Sequence, residues 1–90
     1  MQEKEFELWS RQAEARQKLA TTPEEASFME GYAQGLQRAR HGEAFASETE
    51  HQANLAAARN EADGGRRLWG QGYTAGVNGM DPLTALGMIL

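Results

Sequence analysis

The segment that decides the fold is written twice, as Gly31-Tyr32-Ala33-Gln34-Gly35-Leu36 and, 41 residues later, as Gly72-Tyr73-Thr74-Ala75-Gly76-Val77. In each copy an aromatic residue, Phe28 or Trp69, stands three positions before the first glycine. Glycines four residues apart lie on one face of a helix, where they let the backbone of another helix come close. The repeat therefore predicts close helix packing and is compatible with an internal duplication of a helix pair.

The composition indicates a small domain with a thin core. The chain has 90 residues and no cysteine, and its large apolar residues include only three Phe, two Trp, two Tyr and four Met. We expect one domain, residues 1–90, which buries a modest fraction of its surface. Without cysteine, neither a disulfide nor a thiolate metal site is available to stabilise it. The protein is therefore expected to complete its core with a partner, most simply as a homodimer.

The charge pattern argues against two kinds of target. The net charge is −4, whereas nucleic-acid-binding domains are typically basic, so we predict no binding of free nucleic acid. No stretch reaches the roughly 18 apolar residues needed to cross a bilayer, so no membrane association is expected. The charged start, Met1 to Glu5, is not typical of a secretory signal. A cytoplasmic location is the expectation.

The first helix is predicted over Gln2–Ala20, a stretch without Gly or Pro. It carries apolar residues on two sides. One side holds Phe6, Trp9, Ala13 and Ala20, and the other holds Leu8, Ala15 and Leu19. A helix that is apolar on two sides is expected to contact two neighbours, or one neighbour and a partner chain.

The second helix has the clearest boundaries. Thr22-Pro23-Glu24-Glu25 combines a capping side chain with proline at the first helical position, and Gly42 is a typical stop. These signals predict a helix from Pro23 to His41. Its apolar arc is predicted to contain Phe28, Gly31, Tyr32, Gly35, Leu36 and Ala39.

The remaining helices are predicted from further caps. The box that starts at Ser47 precedes a third helix, over Gln52–Ala62, which Asp63-Gly64-Gly65 should end. A fourth helix is predicted from near Arg66; its many glycines mean that packing holds it or that it is partly irregular. Asp81-Pro82 starts a short fifth helix, whose apolar tail should dock. The fold class is all-α, a bundle of four helices plus a short C-terminal helix.

The second repeat also resembles a known family. Gly72–Gly79 is similar to the Gly-Tyr-x-Ala-Gly-hydrophobic-x-Gly segment of ribosome modulation factor, a family of small helical bacterial proteins that bind and silence the ribosome. The resemblance covers eight of the 90 residues, with Tyr73 and Gly76 as the matched positions. The family's Cys-Pro-Tyr element is absent, and the family is basic. The resemblance implies a ribosome- or RNA-binding modulator as an alternative function.

No residue pattern points to catalysis, a cofactor or a metal. His41 and His51 lie near several carboxylates, but their spacing is not that of paired ligands on a helix. The serines and threonines beside acids are better explained as helix caps than as activated nucleophiles. We therefore expect no enzyme activity, no cofactor and no metal site.

Aromatic and basic residues are the remaining candidates for function. Most tryptophans belong to a core and most arginine clusters to a solvated surface, but both residue types are enriched where proteins bind each other. The candidate partner-binding residues are Trp9, Tyr32, Trp69, Tyr73, Arg66 and Arg67. The predicted function is that of a non-catalytic inhibitor or modulator of a larger machine, acting by protein–protein interaction. Small acidic helical proteins without site chemistry are typical of phage and plasmid inhibitors, including anti-CRISPR proteins.

Overall fold

The computed structural model describes residues 1–90 and contains only helices, turns and connecting segments. The five helices are α1 (Glu3–Leu19), α2 (Pro23–His41), α3 (Glu48–Ala56), α4 (Gly64–Val77) and α5 (Pro82–Leu86). Single 3₁₀ turns, Gly42–Ala44 and Ala57–Arg59, follow α2 and α3. The predicted class, an all-α bundle with a short C-terminal helix, is confirmed. None of the helices has both the length and the apolar character needed to cross a membrane.

Local capping sets the boundaries of α2, as the sequence predicts. The Thr22 hydroxyl accepts a hydrogen bond from the Glu25 N–H at 3.2 Å, and Pro23 occupies the first turn. Gly42 ends the helix with a φ of 61°, in the region that favours glycine. Both ends of this central helix are therefore specified by residues next to them in sequence.

The boundary between α3 and α4 differs from the prediction. The α-helical part of α3 ends at Ala56, and the Asn60 side chain then accepts hydrogen bonds from the N–H groups of Ala62 and Asp63. Asp63 caps the N–H of Arg66, so Asp63 and the two glycines after it begin α4 instead of ending α3. The Asn60 turn takes the N–H groups that a longer α3 would have used. Helix α4 is regular to Val77. The alternative prediction, that the fourth helix is partly irregular, is therefore wrong.

The glycines of α2 bring its backbone against that of α4. A Cβ atom added at Gly31 would lie 1.9 Å from the carbonyl oxygen of Trp69, and one at Gly35 would lie 2.2 Å from that of Tyr73. Residue numbers rise together along these two contacts, so α2 and α4 run in the same direction where they cross. Side chains cannot separate the two helices here, because the contact is between backbones.

The glycines of α4 make the reciprocal contacts on α2. A Cβ atom at Gly72 would lie 1.9 Å from the Phe28 carbonyl oxygen, and one at Gly76 would lie 2.3 Å from that of Tyr32. Each contact repeats its counterpart with the 41-residue offset of the sequence repeat. The two helices therefore pack with the reciprocity of a two-fold interface, although they belong to one chain.

The outer helices run antiparallel to their central neighbours. The Phe6 ring near the start of α1 lies 5.6 Å from the His41 ring at the end of α2. On the other side, Gly70 of α4 lies against the backbone of Ala57 and Ala58, directly after α3. The fold is thus two antiparallel hairpins, α1–α2 and α3–α4, joined through the glycine contact.

The main core lies between α1, α2, α4 and α5. Its buried members are Ala13, Phe28, Met29, Tyr32, Leu36, Ala75, Ala85 and Leu86. Phe6 and Trp9 pack on this core, whereas Leu8 and Leu19, on another side of α1, stay exposed. The C-terminal tail docks only in part, since Leu86 is buried but Leu90 is 85% exposed.

Candidate partner-binding surface

Four side chains of α3 and α4 form a continuous stack on one side of the molecule. The guanidinium carbon of Arg66 lies 4.4 Å from the centre of the Trp69 ring, within cation–π range. Trp69 stacks on Tyr73 with ring centres 5.4 Å apart and an interplanar angle of 14°. The Tyr73 hydroxyl and Nδ1 of His51 are 2.7 Å apart and hydrogen-bonded. The stack runs from an exposed arginine to a fully buried tyrosine.

The glycine contact positions this stack. Trp69 and Tyr73 are one helical turn apart, so their rings lie on the same side of α4. Their carbonyl oxygens face Gly31 and Gly35 across the helix crossing, which fixes the backbone beneath both rings. Trp69 is half-buried and Arg66 is exposed, so these two side chains form the accessible end of the stack. A rigid backbone holds them in place, which lowers the entropy cost of binding a partner.

The two arginines at the start of α4 have no carboxylate partner in the chain. The ion pairs of the protein are Lys18–Glu14, Arg38–Glu48 and Arg40–Glu3, and none involves Arg66 or Arg67. Arg67 instead lines a shallow groove of about 330 Å³, together with Ser27 and Leu68. The start of α4 therefore presents two unpaired guanidinium groups, of which that of Arg66 lies over the half-exposed indole of Trp69.

The structure separates the six residues predicted to bind a partner. Arg66 and Trp69 lie together at the surface, whereas Arg67 lines the groove with Ser27 and Leu68. Tyr32 and Tyr73 are 0% exposed, so neither ring offers surface to a partner while the fold is intact. Trp9 packs against the core from α1, away from the α4 surface.

The two tyrosines are central to the fold. The Tyr32 hydroxyl donates a hydrogen bond to the Met80 carbonyl oxygen at 2.6 Å, which ties α2 to the segment after α4. Burial raises the pKa of the Tyr32 phenol well above its usual value, and the nearby Asp81 carboxylate adds to the shift. Tyr73 makes the corresponding link from α4 to His51 of α3. Sequence reasoning missed this role of His51, because it depends on how α3 folds back on α4.

The segment that resembles ribosome modulation factor lies largely inside the helix crossing. Its residues Gly72, Tyr73, Ala75 and Gly76 are buried. Gly79 follows the end of α4 with a φ of 74°, a conformation that favours glycine. Close packing of α2 against α4 and termination of α4 explain these positions without a nucleic-acid contact.

The acidic side chains around His51 are engaged in local contacts. Hydrogen bonding from Gln52 lowers the pKa of Glu48, which also pairs with Arg38 at 3.1 Å. Hydrogen bonds from Ser47 lower the pKa of Glu50, the carboxylate of the capping box. No group of three or more His, Cys, Asp or Glu side chains is placed to hold a metal ion. The expectation that the protein uses no metal and is not an enzyme stays a prediction.

The chain matches no protein-family model, no curated protein and no solved structure. The likeness to ribosome modulation factor therefore stays a prediction.

Proposed function

We propose that the protein is a non-catalytic binding protein that inhibits or modulates a larger macromolecular machine through its α4 surface, defined here as Arg66, Arg67 and Trp69. The observation that carries the proposal is the unpaired Arg66 stacked over the half-exposed Trp69 on a rigid helix pair. Tryptophan and arginine are the residue types most enriched among binding hot spots.

The charges of the α4 surface define the partner. Two guanidinium groups without carboxylate partners favour an acidic surface, because charge-assisted hydrogen bonds to carboxylates are the strongest that arginine makes. The face of Trp69 requires an apolar recess beside those carboxylates, since most of the binding energy would come from desolvating the indole. The partner is therefore an acidic protein surface with an apolar pocket at its centre.

The class of protein follows from size and composition by analogy. A chain of 90 residues with net charge −4 and no cysteine resembles the small inhibitors that phages and plasmids produce, including anti-CRISPR proteins. Such inhibitors act by occupying a surface of their target and need no chemistry of their own. The cytoplasm, where their targets work, is the proposed location.

The test compares the proteins captured by the wild type with those captured by surface variants. Arg66→Glu reverses a charge at an exposed position and should leave folding unchanged, while it abolishes capture of the partner. Trp69→Ala should do the same, with its melting temperature measured in parallel because the ring is half-buried. Arg59→Glu is the matched control, since Arg59 is exposed and lies outside α4. Capture that is equal for all four proteins would disprove the α4 surface as the binding site.

A second candidate function, a ribosome- or RNA-binding modulator, uses the same surface. Aromatic side chains stack on bases, and arginine contributes cation–π contacts and phosphate binding in single-stranded nucleic-acid sites. The net charge of −4 opposes this reading, because affinity for nucleic acid comes mainly from neutralised phosphates.

Gel-shift titrations on mixed-sequence duplex and on ribosomal RNA separate the two candidates. We expect no retention of either nucleic acid at physiological salt. Micromolar retention that disappears in Arg66→Glu/Arg67→Glu and weakens steeply with salt would establish the RNA-binding function instead.

A further inference from the structure

We propose that the outward face of α1 docks an acidic amphipathic helix of a partner protein, at a site separate from the α4 surface. The outward face consists of Leu8, Gln12, Ala15 and Leu19, which follow one another at spacings of four, three and four residues. Residues at these spacings lie on one stripe of a helix, in the pattern by which helices pair in coiled coils. All four are exposed. The proposal does not depend on the function proposed for the α4 surface.

A shallow groove extends the stripe at the C-terminal end of α1. Gln12, Ala15 and Leu19 line it together with Leu83 of α5, and its volume is about 340 Å³. Leu19 is 71% exposed and Leu83 is 56% exposed, so the apolar walls of the groove are accessible to a partner. The small side chain of Ala15 leaves a recess between Leu8 and Leu19. The apolar seam of an amphipathic helix can therefore lie along the stripe and enter the groove.

A row of basic side chains borders one side of the stripe. In the heptad that places Leu8 and Ala15 at d positions, every g position of α1 is basic. These positions are Lys4, Arg11 and Lys18, which form a row about 21 Å long along the helix. Side chains at e and g positions contact the partner helix and determine which partner is accepted. The row therefore favours a partner with carboxylates beside its apolar seam.

The other side of the stripe is also basic for most of its length. Arg16 occupies an e position there, and Glu5 is the one carboxylate among the a, d, e and g positions of α1. These positions hold four of the nine basic side chains of the chain and one acid, a net charge of +3, although the chain as a whole carries −4. The outward face is therefore a basic region on an acidic protein.

The same charges disfavour a second copy of α1 as the occupant. In a parallel pair of helices, g positions face e positions, which would place Arg11 of one copy beside Arg16 of the second copy. In an antiparallel pair, g positions face g positions, so the two basic rows would oppose each other. Both orientations bring like charges together, which costs binding free energy. A helix with acidic flanks avoids this repulsion and pairs with the row.

The basic side chains are available for such contacts. Lys4, Arg11 and Arg16 form no ion pair within the chain. Lys18 pairs with Glu14 at 3.2 Å, but both side chains are more than half exposed, and pairs of this kind contribute little to stability. Lys18 can therefore exchange Glu14 for a carboxylate of the partner at small cost.

A protein helix matches this face better than an anionic lipid surface does. Helices that bind membranes bury a broad apolar face into the lipid. The stripe of α1 offers two leucines with glutamine and alanine between them, and the apolar groove beside Leu83 is concave. A recess of this kind accommodates side chains that project from a helix, whereas a flat bilayer surface would leave it unfilled.

The first test measures the binding of synthetic helical peptides. The probe is a peptide of about three heptads with Leu at a and d and Glu at e and g, and the control peptide has Lys in place of Glu. In isothermal titration calorimetry the protein should bind the Glu peptide at least roughly tenfold more tightly than the Lys peptide. Equal affinity for the two peptides, or no binding of either at high micromolar concentration, would overturn the proposal.

The second test locates the site on α1. Lys4→Glu/Arg11→Glu should weaken binding of the Glu peptide at least roughly tenfold and strengthen binding of the Lys peptide, because the row then attracts the opposite charge. Ala53→Glu/Ala56→Glu/Arg59→Glu lowers the net charge by the same amount at exposed positions in and after α3, and should keep the wild-type preference. A preference that survives the α1 variant, or that disappears in the α3 control, would contradict the site.

The third test separates this site from the α4 surface and from lipid binding. Arg66→Glu/Arg67→Glu should bind the Glu peptide as the wild type does; loss of binding would place the acidic helix on α4 and refute the α1 site. The wild type should not sediment with vesicles of phosphatidylcholine and phosphatidylserine. Sedimentation that Lys4→Glu/Arg11→Glu abolishes would assign the outward face to a membrane instead. Circular dichroism of every variant establishes that the helices persist.

Discussion

Replacing Gly72 with alanine is the sharpest perturbation of the helix crossing. The new Cβ atom would lie 1.9 Å from the Phe28 carbonyl oxygen and 2.9 Å from the backbone nitrogen of Tyr32. Ordinary contact begins near 3.4 Å, so α2 and α4 must move apart by about 1.5 Å at this point. Rotating a side chain cannot relieve the clash, because both opposing atoms belong to the backbone of α2.

The separation is costly because it loosens the packing of two whole helices. A gap of about 0.5–1 Å already forfeits a quarter to a half of the dispersion attraction across a contact. Overpacking in cores typically costs about 1–3 kcal/mol, and a backbone clash belongs at the upper end of that range. A loss of about 3 kcal/mol would lower the melting temperature of a domain this small by roughly 12–24 °C. It would also remove a large part of the roughly 5–13 kcal/mol that a 90-residue domain has available.

Thermal and urea melts followed by circular dichroism provide the measurement. Gly64→Ala is the matched control in the same helix, since its nearest neighbour would be the Arg67 guanidinium at 3.8 Å. That variant should be neutral or up to about 1 kcal/mol more stable, because alanine is the better helix former. Gly31→Ala should resemble Gly72→Ala, as the two clashes are reciprocal. Equal melting temperatures for Gly72→Ala and the wild type would refute the close backbone contact.

Three further substitutions test individual hydrogen bonds, one between distant segments and two that cap helices. Tyr32→Phe removes the bond to the Met80 carbonyl oxygen and should cost about 1 kcal/mol in urea melts. Burial raises the pKa of Tyr32 above its usual 10.0, so just above pH 10 only the unfolded chain loses the phenol proton. The stability of the folded protein therefore falls as the pH rises above 10. It should fall less in the Phe variant, which has no phenol proton to lose. Thr22→Ala removes the cap of α2 and should lower stability by about 1 kcal/mol; unchanged stability would contradict the cap. Hydrogen bonds from Thr84 lower the pKa of the Asp81 carboxyl group. The cap of α5 therefore stabilises the fold at pH values above the usual carboxyl pKa, and this contribution is lost as the pH falls through the lowered pKa. Asp81→Ala should therefore reduce stability at neutral pH and differ less from the wild type in acid.

The candidate site was predictable in part. The types and clustering of Arg66, Arg67 and Trp69 were sufficient to select them, because tryptophan and adjacent arginines are common at interfaces. Tyr32 and Tyr73 were selected for the same chemistry, yet both are fully buried. The Tyr32 side chain bonds the Met80 carbonyl and that of Tyr73 bonds His51 of α3. Sequence alone does not say which side of a helix another segment will cover.

The sequence by itself determined the features that depend on near neighbours. The ends of α2 follow from Thr22, Pro23 and Gly42, since caps and stops act within one helical turn. The two glycine pairs likewise predicted a close contact between two helices, because helix backbones touch only where no side chain separates them. Tertiary structure alone decided that α2 and α4 run parallel, that Asp63 starts α4 instead of ending α3, and that the Leu8 side of α1 faces solvent. Those outcomes depend on which distant surfaces meet, and the free energy of packing is shared among segments that lie far apart in the chain.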